Sequence, residues 1–444
     1  MDKKNKMETM PMGKLVLEMS LPMMISLLIQ SLYNIVDSMF VARLSEDALT
    51  ATSLAYPIQM LMISVGVGSA VGLNAVLSKA LGAKKINDAN QIAVTGVLIS
   101  VVWGIIFGVF GLLFSGIIAH ALTDQADIES QCYQYLFICM VFSLGNMVSM
   151  TYQRLMQATG RTMLSMVILV CGAITNIVLD PIMIFGLLGC PTLGIKGAAI
   201  ATVIGQWVSM IVGIILQKCY NKEVKVTFKN FNFQWSNVRA IYKVGLPTII
   251  TQAMQSMMVT CFNAILQPIS TTAVAFFGVY YKLQTFLFMP MNGLGQASIP
   301  IVGFNFGAKN RNRITKAAKV LYPSAICIAL VGTLLFYLLP RQLLSLFAAS
   351  EAMLEIGVPA IRIMSLTFTI AAITMTTGYF AAGLQDGVTN MLGAFLRQFV
   401  PLIPCAWAFG KIGRIEMIWY SFWISEICGL IFVIIRFRKL YNKI

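Results

Sequence analysis

Long apolar stretches separated by short polar segments make up almost the whole chain. A hydrocarbon core of about 30 Å needs roughly 20 apolar residues in a helix, and the sequence contains twelve stretches of that kind. Their approximate limits are 15–42, 48–78, 91–119, 130–154, 162–188, 196–219, 239–267, 272–303, 316–339, 355–381, 388–410 and 415–436. The pattern predicts an all-α polytopic membrane protein with twelve transmembrane helices, here called spans 1 to 12.

The two halves of the chain repeat one pattern in one register. LPMMISLLIQS at 21–31 resembles LPTIITQAMQS at 246–256, and Gly-Ala-Lys at 82–84 recurs at 307–309, both with an offset of 225 residues. Six is an even number of spans, so the halves share an orientation. We expect two six-helix bundles related by a pseudo-twofold axis along the membrane normal. The predicted limits are 1–219 for an N-lobe, 220–238 for a cytoplasmic linker and 239–444 for a C-lobe.

Composition and charge support a membrane protein. The chain is 58% hydrophobic and only 11% charged, whereas soluble domains carry about 25% charged residues. If the N-terminus is inside, most of the 32 Lys and Arg residues fall on inner segments. The outer loops then keep only Arg43, Lys196, Arg341, Lys411 and Arg414. The positive-inside rule therefore predicts cytoplasmic termini in the inner (plasma) membrane. This bias also explains the net charge of +15, so no nucleic-acid partner is predicted.

Motifs for catalysis or cofactor binding do not occur in the sequence. There is no nucleotide-binding P-loop, H-E-x-x-H or G-x-S-x-G. The nine cysteines are scattered without C-x-x-C spacing, which predicts neither a disulfide framework nor a metal cluster. We therefore expect no enzyme activity and no cofactor.

Two acids interrupt spans that run outward. Asp37 lies about six residues before the end of span 1, and Asp180 about eight before the end of span 5. At 1.5 Å per residue both lie roughly 9–12 Å below the outer surface. Pro181 removes a backbone hydrogen bond and can bend span 5 at the acid. Asn176 shares a helix face with Asp180, and Asn34 shares one with Asp37. The predicted site for coupling a cation or proton comprises Asp37, Asp180, Asn176 and Asn34.

The chemistry of these side chains leaves two ions open. Carboxylate and amide oxygens suit Na⁺, which Asp37, Asn176 and Asp180 together are able to bind. Two neighbouring carboxylates in a low-dielectric environment also favour binding of a proton. The alternative interpretation is that each Asp makes a structural hydrogen bond between helices.

A second set of charged residues lies in the C-lobe. Lys282 and Glu426 have matching depths in spans 8 and 12, which predicts either a buried ion pair or a pair that contacts substrate or gates transport. Arg397, near the membrane middle, either lines a cavity or bonds carbonyls freed by Pro401 and Pro404. The candidate substrate-cavity residues are Gln30, Tyr33, Gln255, Met257, Lys282, Arg397 and Glu426.

Four sequence motifs together resemble a known transporter family. They are YNIVDSMFVARL (33–44), QATGR (157–161), TNIVLDPIMIFGL (175–187) and GIKGAAIATVIGQ (194–206). In this order they resemble the multidrug and toxic compound extrusion (MATE) family, and the N-lobe acids are similar to those of its DinF-like and bacterial multidrug branch. No acid occupies the middle of spans 7 or 8, where another branch keeps carboxylates for cation coupling.

The resemblance implies a secondary active antiporter. Such a protein exports amphipathic, mostly cationic drugs or toxic compounds by alternating access, in exchange for H⁺ or Na⁺. Its partners would be small-molecule substrates and the lipid bilayer, and we expect a monomer. The alternative is a lipid-linked oligosaccharide flippase of the same superfamily, which would line its cavity with cations. This chain sets Lys282, Arg397 and Arg362 against three acids, a balance that disfavours anionic cargo.

Overall fold

The computed structural model describes residues 5–229, 231–347, 349–412 and 414–442. Over these residues the chain forms helices and no strands. The first half contains α1 (Lys6–Thr9), α2 (Met12–Leu44), α3 (Glu46–Gly82), α4 (Ile86–Leu122), α5 (Ala126–Val141), α6 (Leu144–Ala158), α7 (Thr162–Phe185), a 3₁₀ turn (Leu187–Gly189) and α8 (Ile195–Tyr220). The second half contains α9 (Trp235–Leu266), α10 (Thr271–Gly307), α11 (Arg311–Leu338), α12 (Pro340–Ser345), α13 (Glu351–Ser365), α14 (Phe368–Gly383), α15 (Gly387–Gln398), α16 (Leu402–Lys411), α17 (Ile415–Trp419) and α18 (Ser421–Tyr441).

The helices match the predicted spans. Within the described residues, nine helical stretches are long and apolar enough to cross a membrane, and two bent pairs, α5 with α6 and α13 with α14, raise the number to eleven. The remaining predicted span is α10, which has 37 residues but carries Lys282, Asn292 and Gln296 among its apolar ones. The prediction of an all-helical, polytopic membrane protein is confirmed.

The 225-residue register extends to the helix caps and turns. Ser45 caps α3 by accepting a hydrogen bond from the Ala48 backbone N–H at 3.0 Å, and Ser270 caps α10 in the same way through Ala273 at 3.2 Å. An N-cap hydroxyl pairs a backbone donor that the first helical turn leaves free. The repeat therefore determines where α3 and its counterpart α10 begin.

The two bent spans break at equivalent positions. The pair α5–α6 bends by 48° after Val141, and the pair α13–α14 bends by 51° after Ser365. The breaks follow the same register to within one residue, although no proline lies at either one. The bend is therefore a feature of the repeat rather than of one local sequence.

The chain packs as two units. Unit 1 contains Asn5 and Ile25–Ile249, and unit 2 contains Lys6–Met24 with the described residues of Ile250–Ile444. The divisions fall inside α2 and α9, at positions that are again 225 residues apart. The predicted lobes divide at the linker instead, and that division, 1–219, 220–238 and 239–444, stays a prediction.

Close helix contacts explain why each unit includes part of a helix from the other half of the sequence. In unit 1 a Cβ at Gly68 would lie 2.3 Å from the side chain of Ile249, so the first part of α9 packs directly on α3. In unit 2 a Cβ at Gly293 would lie 2.7 Å from the side chain of Met24, so the first part of α2 packs directly on α10. Glycine allows these approaches because it has no side chain to exclude the neighbouring helix.

The two units differ in the residues that fill equivalent positions. The counterpart of Asp37 in the second half is Phe262, which is fully buried in unit 2. Its ring lies 4.6 Å from that of Phe277, 5.2 Å from Phe422 and 6.2 Å from Trp419. Offset and tilted aromatic packing of this kind adds stability beyond area burial. Unit 2 therefore has an aromatic core where unit 1 has an acid.

Candidate cation-binding site

Asp180 and Asn176 lie one turn apart on α7, and both are buried. Asn176 donates through Nδ2 to Asp180 Oδ1 at 3.2 Å and to the Thr202 hydroxyl of α8 at 3.3 Å. The helices α7 and α8 approach closely at Gly172 and Gly205, where a Cβ on either would lie 2.7 Å from the carbonyl oxygen of the other. Glycine at both positions therefore brings Thr202 within reach of the amide.

Asp37 of α2 meets Asp180 of α7. Their carboxyl groups are within hydrogen-bonding reach of one another. A hydrogen bond between two carboxyl groups requires a proton on one of them, because an ionised carboxylate only accepts. The structure thus brings together two acids that are 143 residues apart in the sequence.

Three oxygen atoms at this site lack donors. Asp37 Oδ1, Asp180 Oδ2 and Asn176 Oδ1 are buried, and no described residue donates a hydrogen bond to them. A buried acceptor without a donor costs roughly 1–3 kcal/mol, more for a charged group. Two carboxylates and an amide are ligands of the type that hard cations prefer. The arrangement suits Na⁺ bound by three oxygens, or a proton shared by the carboxyl groups.

Several polar side chains lie near Asp37. Tyr33, one turn before Asp37 on α2, is close enough to interact electrostatically with both acids. Gln59 of α3 lies within hydrogen-bonding reach of Tyr135 and Cys139, which are buried on consecutive turns of α5. Gln59, Tyr135 and Cys139 were not predicted as site residues from the sequence. The available signal was a glutamine inside an apolar span, two residues after Pro57.

The remaining candidates of α2 and α9 lie in varied surroundings. Asn34 is exposed, and its backbone carbonyl accepts a hydrogen bond from the Ser38 hydroxyl at 2.8 Å. Gln30 is half-buried on α2, while Gln255 and Met257 are exposed on α9. Their roles in ion or substrate binding stay predictions.

Glu426 forms the buried ion pair of unit 2. Its Oε1 lies 3.4 Å from Arg397 Nε, and only 14% of the Arg397 side chain and 11% of the Glu426 side chain are exposed. The Ser425 hydroxyl donates to the Arg397 carbonyl, which joins α18 to α15 a second time. Glu426 Oε2 is buried and receives no hydrogen bond from any described residue.

Lys282 is not the partner of Glu426. It is exposed on α10, whereas Glu426 is buried against α15. The interpretation of Lys282 and Glu426 as a pair is therefore wrong, although their depths match. Equal distance from the ends of two helices does not determine which faces the helices turn toward each other, and rotation about the helix axis separates these side chains.

Sequence comparisons match most of the chain to one family. The sequence profile of the MatE family matches residues 22–182 and again residues 247–407, which are 225 positions apart. The chain is 25% identical to "Probable multidrug resistance protein NorM" of Thermotoga maritima, over 96% of this chain and 91% of that protein. It is 24% identical to "Multidrug export protein MepA" of Staphylococcus aureus, over 95% of this chain and 93% of that one.

Solved structures of the same fold cover nearly the full length. A MOP superfamily transporter from Pyrococcus furiosus, described as having a binding pocket of reverse polarity, superposes with a TM-score of 0.91 at 22% identity, covering 99% of this chain and 98% of that one. An outward-facing multidrug resistance MATE transporter gives 0.90 at 21% identity, covering 99% of both chains. These transporters have twelve helices in two bundles, so the predicted fold class is confirmed. Since the family profile matches most of the chain, this protein belongs to the MATE family of multi-span membrane transporters.

Proposed function

We propose that the protein is a secondary active antiporter that exports amphipathic, mostly cationic drugs or toxic compounds in exchange for H⁺ or Na⁺. The observation that carries this proposal is the pairing of the half-buried Asp37 with the buried Asp180, with buried, unpaired oxygens on both carboxyl groups and on Asn176. Buried ionisable groups inside a membrane are expensive and are usually functional. The names of the NorM and MepA relatives support a drug as the cargo.

Competition for charge explains how one site serves two ligands. With both carboxylates ionised, the site attracts a cation. A bound proton or Na⁺ removes that attraction, so the coupling ion and a cationic compound oppose each other's binding. A ligand shifts a conformational equilibrium only through its different affinities for the two states. The coupling ion and the cargo then favour different conformations, each open to a different side of the membrane. This exchange between conformations is alternating access.

The proposed setting follows from the distribution of charge. The Lys and Arg bias favours cytoplasmic termini and a plasma-membrane location. In this setting the chain acts as a monomer, with small-molecule substrates and the bilayer as its partners. It needs no enzyme activity and no cofactor, because the ion gradient supplies the driving force.

Proteoliposomes loaded with ethidium test the proposal. Under an imposed H⁺ or Na⁺ gradient, ethidium should leave liposomes that contain the wild-type protein faster than protein-free liposomes. The ion whose gradient accelerates this efflux is the coupling ion. Asp37→Asn and Asp180→Asn should each reduce this rate to background at matched protein levels. Asp88→Asn is the control, because Asp88 is exposed and lies 3.6 Å from Lys85 in a surface pair. Wild-type rates in both site variants would eliminate the site.

The same variants distinguish a flippase from a drug exporter. A flippase for anionic lipid-linked oligosaccharides would move an anionic lipid precursor and not ethidium, and Asp37→Asn would leave that activity intact. The pairing of Arg397 with Glu426 argues against anionic cargo, because it compensates one of the few cations within the C-terminal spans.

A further inference from the structure

A pocket of about 280 Å³ lies at the C-terminal end of α18, within unit 2. The α14–α15 turn and the last two turns of α18 line it, through Asp386, Arg436, Lys439, Leu440 and Asn442. None of these residues takes part in the proposed coupling site. The pocket therefore needs an explanation of its own.

The side chains that line the pocket carry more positive than negative charge. Arg436 bonds the Thr389 hydroxyl through Nε at 3.1 Å and Asp386 through Nη2 at 3.4 Å, which leaves Nη1 without an acceptor among the described residues. Asp386 also accepts hydrogen bonds from the Thr389 backbone N–H at 3.2 Å and hydroxyl at 2.9 Å. Lys439 makes no ion pair within the described part of the chain. One engaged carboxylate thus faces two cations, and the pocket is net positive.

The turn beside the pocket is strained. Gln385 has a φ of 68°, in the left-handed region, whereas the first repeat has Gly160, with a φ of 79°, at the equivalent position. Glycine adopts this conformation freely and other residues do so at a cost. Gln385 Nε2 is also buried without an acceptor in the described structure. Strained backbone persists where the surrounding structure holds it, and it is concentrated at binding sites and other functional sites.

The position of the pocket favours a lipid. It lies where α15 begins and α18 ends, which are the ends of two spans and therefore close to the headgroup region of a bilayer. Leu440, 7% exposed, gives the pocket an apolar floor. Next to it, Tyr441 joins α18 to α11, through a 2.9 Å hydrogen bond with Thr315 and a contact beneath the guanidinium of Arg311.

We propose that this pocket binds the headgroup of an anionic phospholipid, with Arg436 and Lys439 contacting its phosphodiester oxygens. Basic pockets at the ends of transmembrane helices bind anionic headgroups in this way. Charged donors also prefer an anionic acceptor with several oxygens. Asp386 orients Arg436 toward the pocket and limits its positive charge.

Native mass spectrometry of the full chain tests the proposal. The protein is purified from nanodiscs that contain equal amounts of phosphatidylglycerol and phosphatidylcholine, and the lipids that stay bound are counted. The wild-type protein should retain phosphatidylglycerol preferentially. Lys439→Gln should weaken this retention roughly fivefold, the factor that corresponds to about 1 kcal/mol for one basic residue near an anionic surface. Arg436→Gln should weaken it at least as much.

A variant that should increase lipid retention, together with a matched control, separates loss of lipid binding from loss of folding. Asp386→Asn removes the negative charge and retains the helix cap, so retention of phosphatidylglycerol should increase. Lys218→Gln, at the exposed end of the equivalent helix α8, should leave retention unchanged. Equal retention of the two lipids by the wild-type protein, or an unchanged preference in Lys439→Gln and Asp386→Asn, would overturn the proposal. Displacement of the lipid by an equal concentration of inorganic phosphate would also overturn it, in favour of a soluble phosphate ligand.

Discussion

Asn176 Nδ2 lies 3.2 Å from Asp180 Oδ1, one turn away along α7. The same nitrogen donates to Thr202, so both amide hydrogens are engaged and the orientation of the amide is determined. Its Oδ1 must then point elsewhere, and this is the atom that has no donor among the described residues. The hydrogen bond therefore orients an amide oxygen as a ligand beside the two carboxyl groups.

Where Na⁺ is the coupling ion, Asn176→Ala should weaken its binding without abolishing transport. The substitution removes one oxygen ligand and the donor to Asp180 Oδ1, a loss of about 1.4 kcal/mol or tenfold in affinity. The ion concentration that gives half-maximal efflux in proteoliposomes should rise accordingly. Thr202→Val, which removes only the hydroxyl beyond the amide, should have a smaller effect. An unchanged half-maximal concentration in Asn176→Ala would show that the amide is not a ligand.

Asp37→Asn should stabilise the protein while it stops coupled efflux. It replaces one of two neighbouring carboxyl groups and lets an amide N–H donate to Asp180 without a shared proton. We expect a gain of about 1 kcal/mol in the free energy of unfolding, seen as a higher melting temperature in detergent at neutral pH. A lower melting temperature would instead indicate that Asp37 has a structural role.

The ion pair of unit 2 should behave as a structural pair. Glu426→Gln leaves Arg397 buried without its carboxylate, which costs about 3–5 kcal/mol. The double variant Arg397→Met with Glu426→Leu removes both charges and should recover most of that loss in thermal unfolding. Lys282→Gln should leave stability unchanged, since Lys282 is exposed. If Lys282→Gln destabilised the protein as much as Glu426→Gln, the assignment of Arg397 as the partner would be wrong.

Gly72→Ala should destabilise unit 1. A Cβ there would lie 2.1 Å from the carbonyl oxygen of Ile241, a backbone atom of α9 that cannot rotate away. Overpacking of this kind costs about 1–3 kcal/mol. Gly278→Ala is the matched control, because nothing lies within 4 Å of its added methyl group. Thermal unfolding and membrane yield of the two variants check the difference, which equal values would refute.

Exchanging residues at the equivalent turns should change stability in opposite directions. Gly160→Ala places a side chain at a φ of 79°, and Gln385→Gly removes one from a φ of 68°. A left-handed conformation costs a residue with a Cβ about 1–2 kcal/mol. The first variant should therefore unfold at a lower temperature than the wild-type protein and the second at a higher one. A loss of stability in Gln385→Gly would mean that its side-chain contacts outweigh the strain.

The sequence alone was sufficient for features that depend on local composition and spacing. Apolar runs of sufficient length predict membrane-spanning helices, because a helix in lipid satisfies its own backbone hydrogen bonds. The 225-residue offset, read from two short segments, extends through the caps at Ser45 and Ser270 and the bends of α5–α6 and α13–α14. The depths of Asp37 and Asp180, and the one-turn spacing of Asn176, also follow from a fixed rise per residue.

The tertiary structure alone decided which side chains meet. Matching depth made Lys282 the predicted partner of Glu426, and only the rotation of α10, α15 and α18 about their axes selects Arg397 instead. The same applies to Gln59, Tyr135 and Cys139, which come together from α3 and α5. Rotating a helix about its axis leaves each residue at the same depth in the apolar layer and does not change the hydropathy pattern. The sequence pattern therefore constrains the depth of a side chain far better than the direction in which it points. Facing depends on close contacts such as those of Gly172 and Gly205, where the absence of a side chain on both helices sets how they pack.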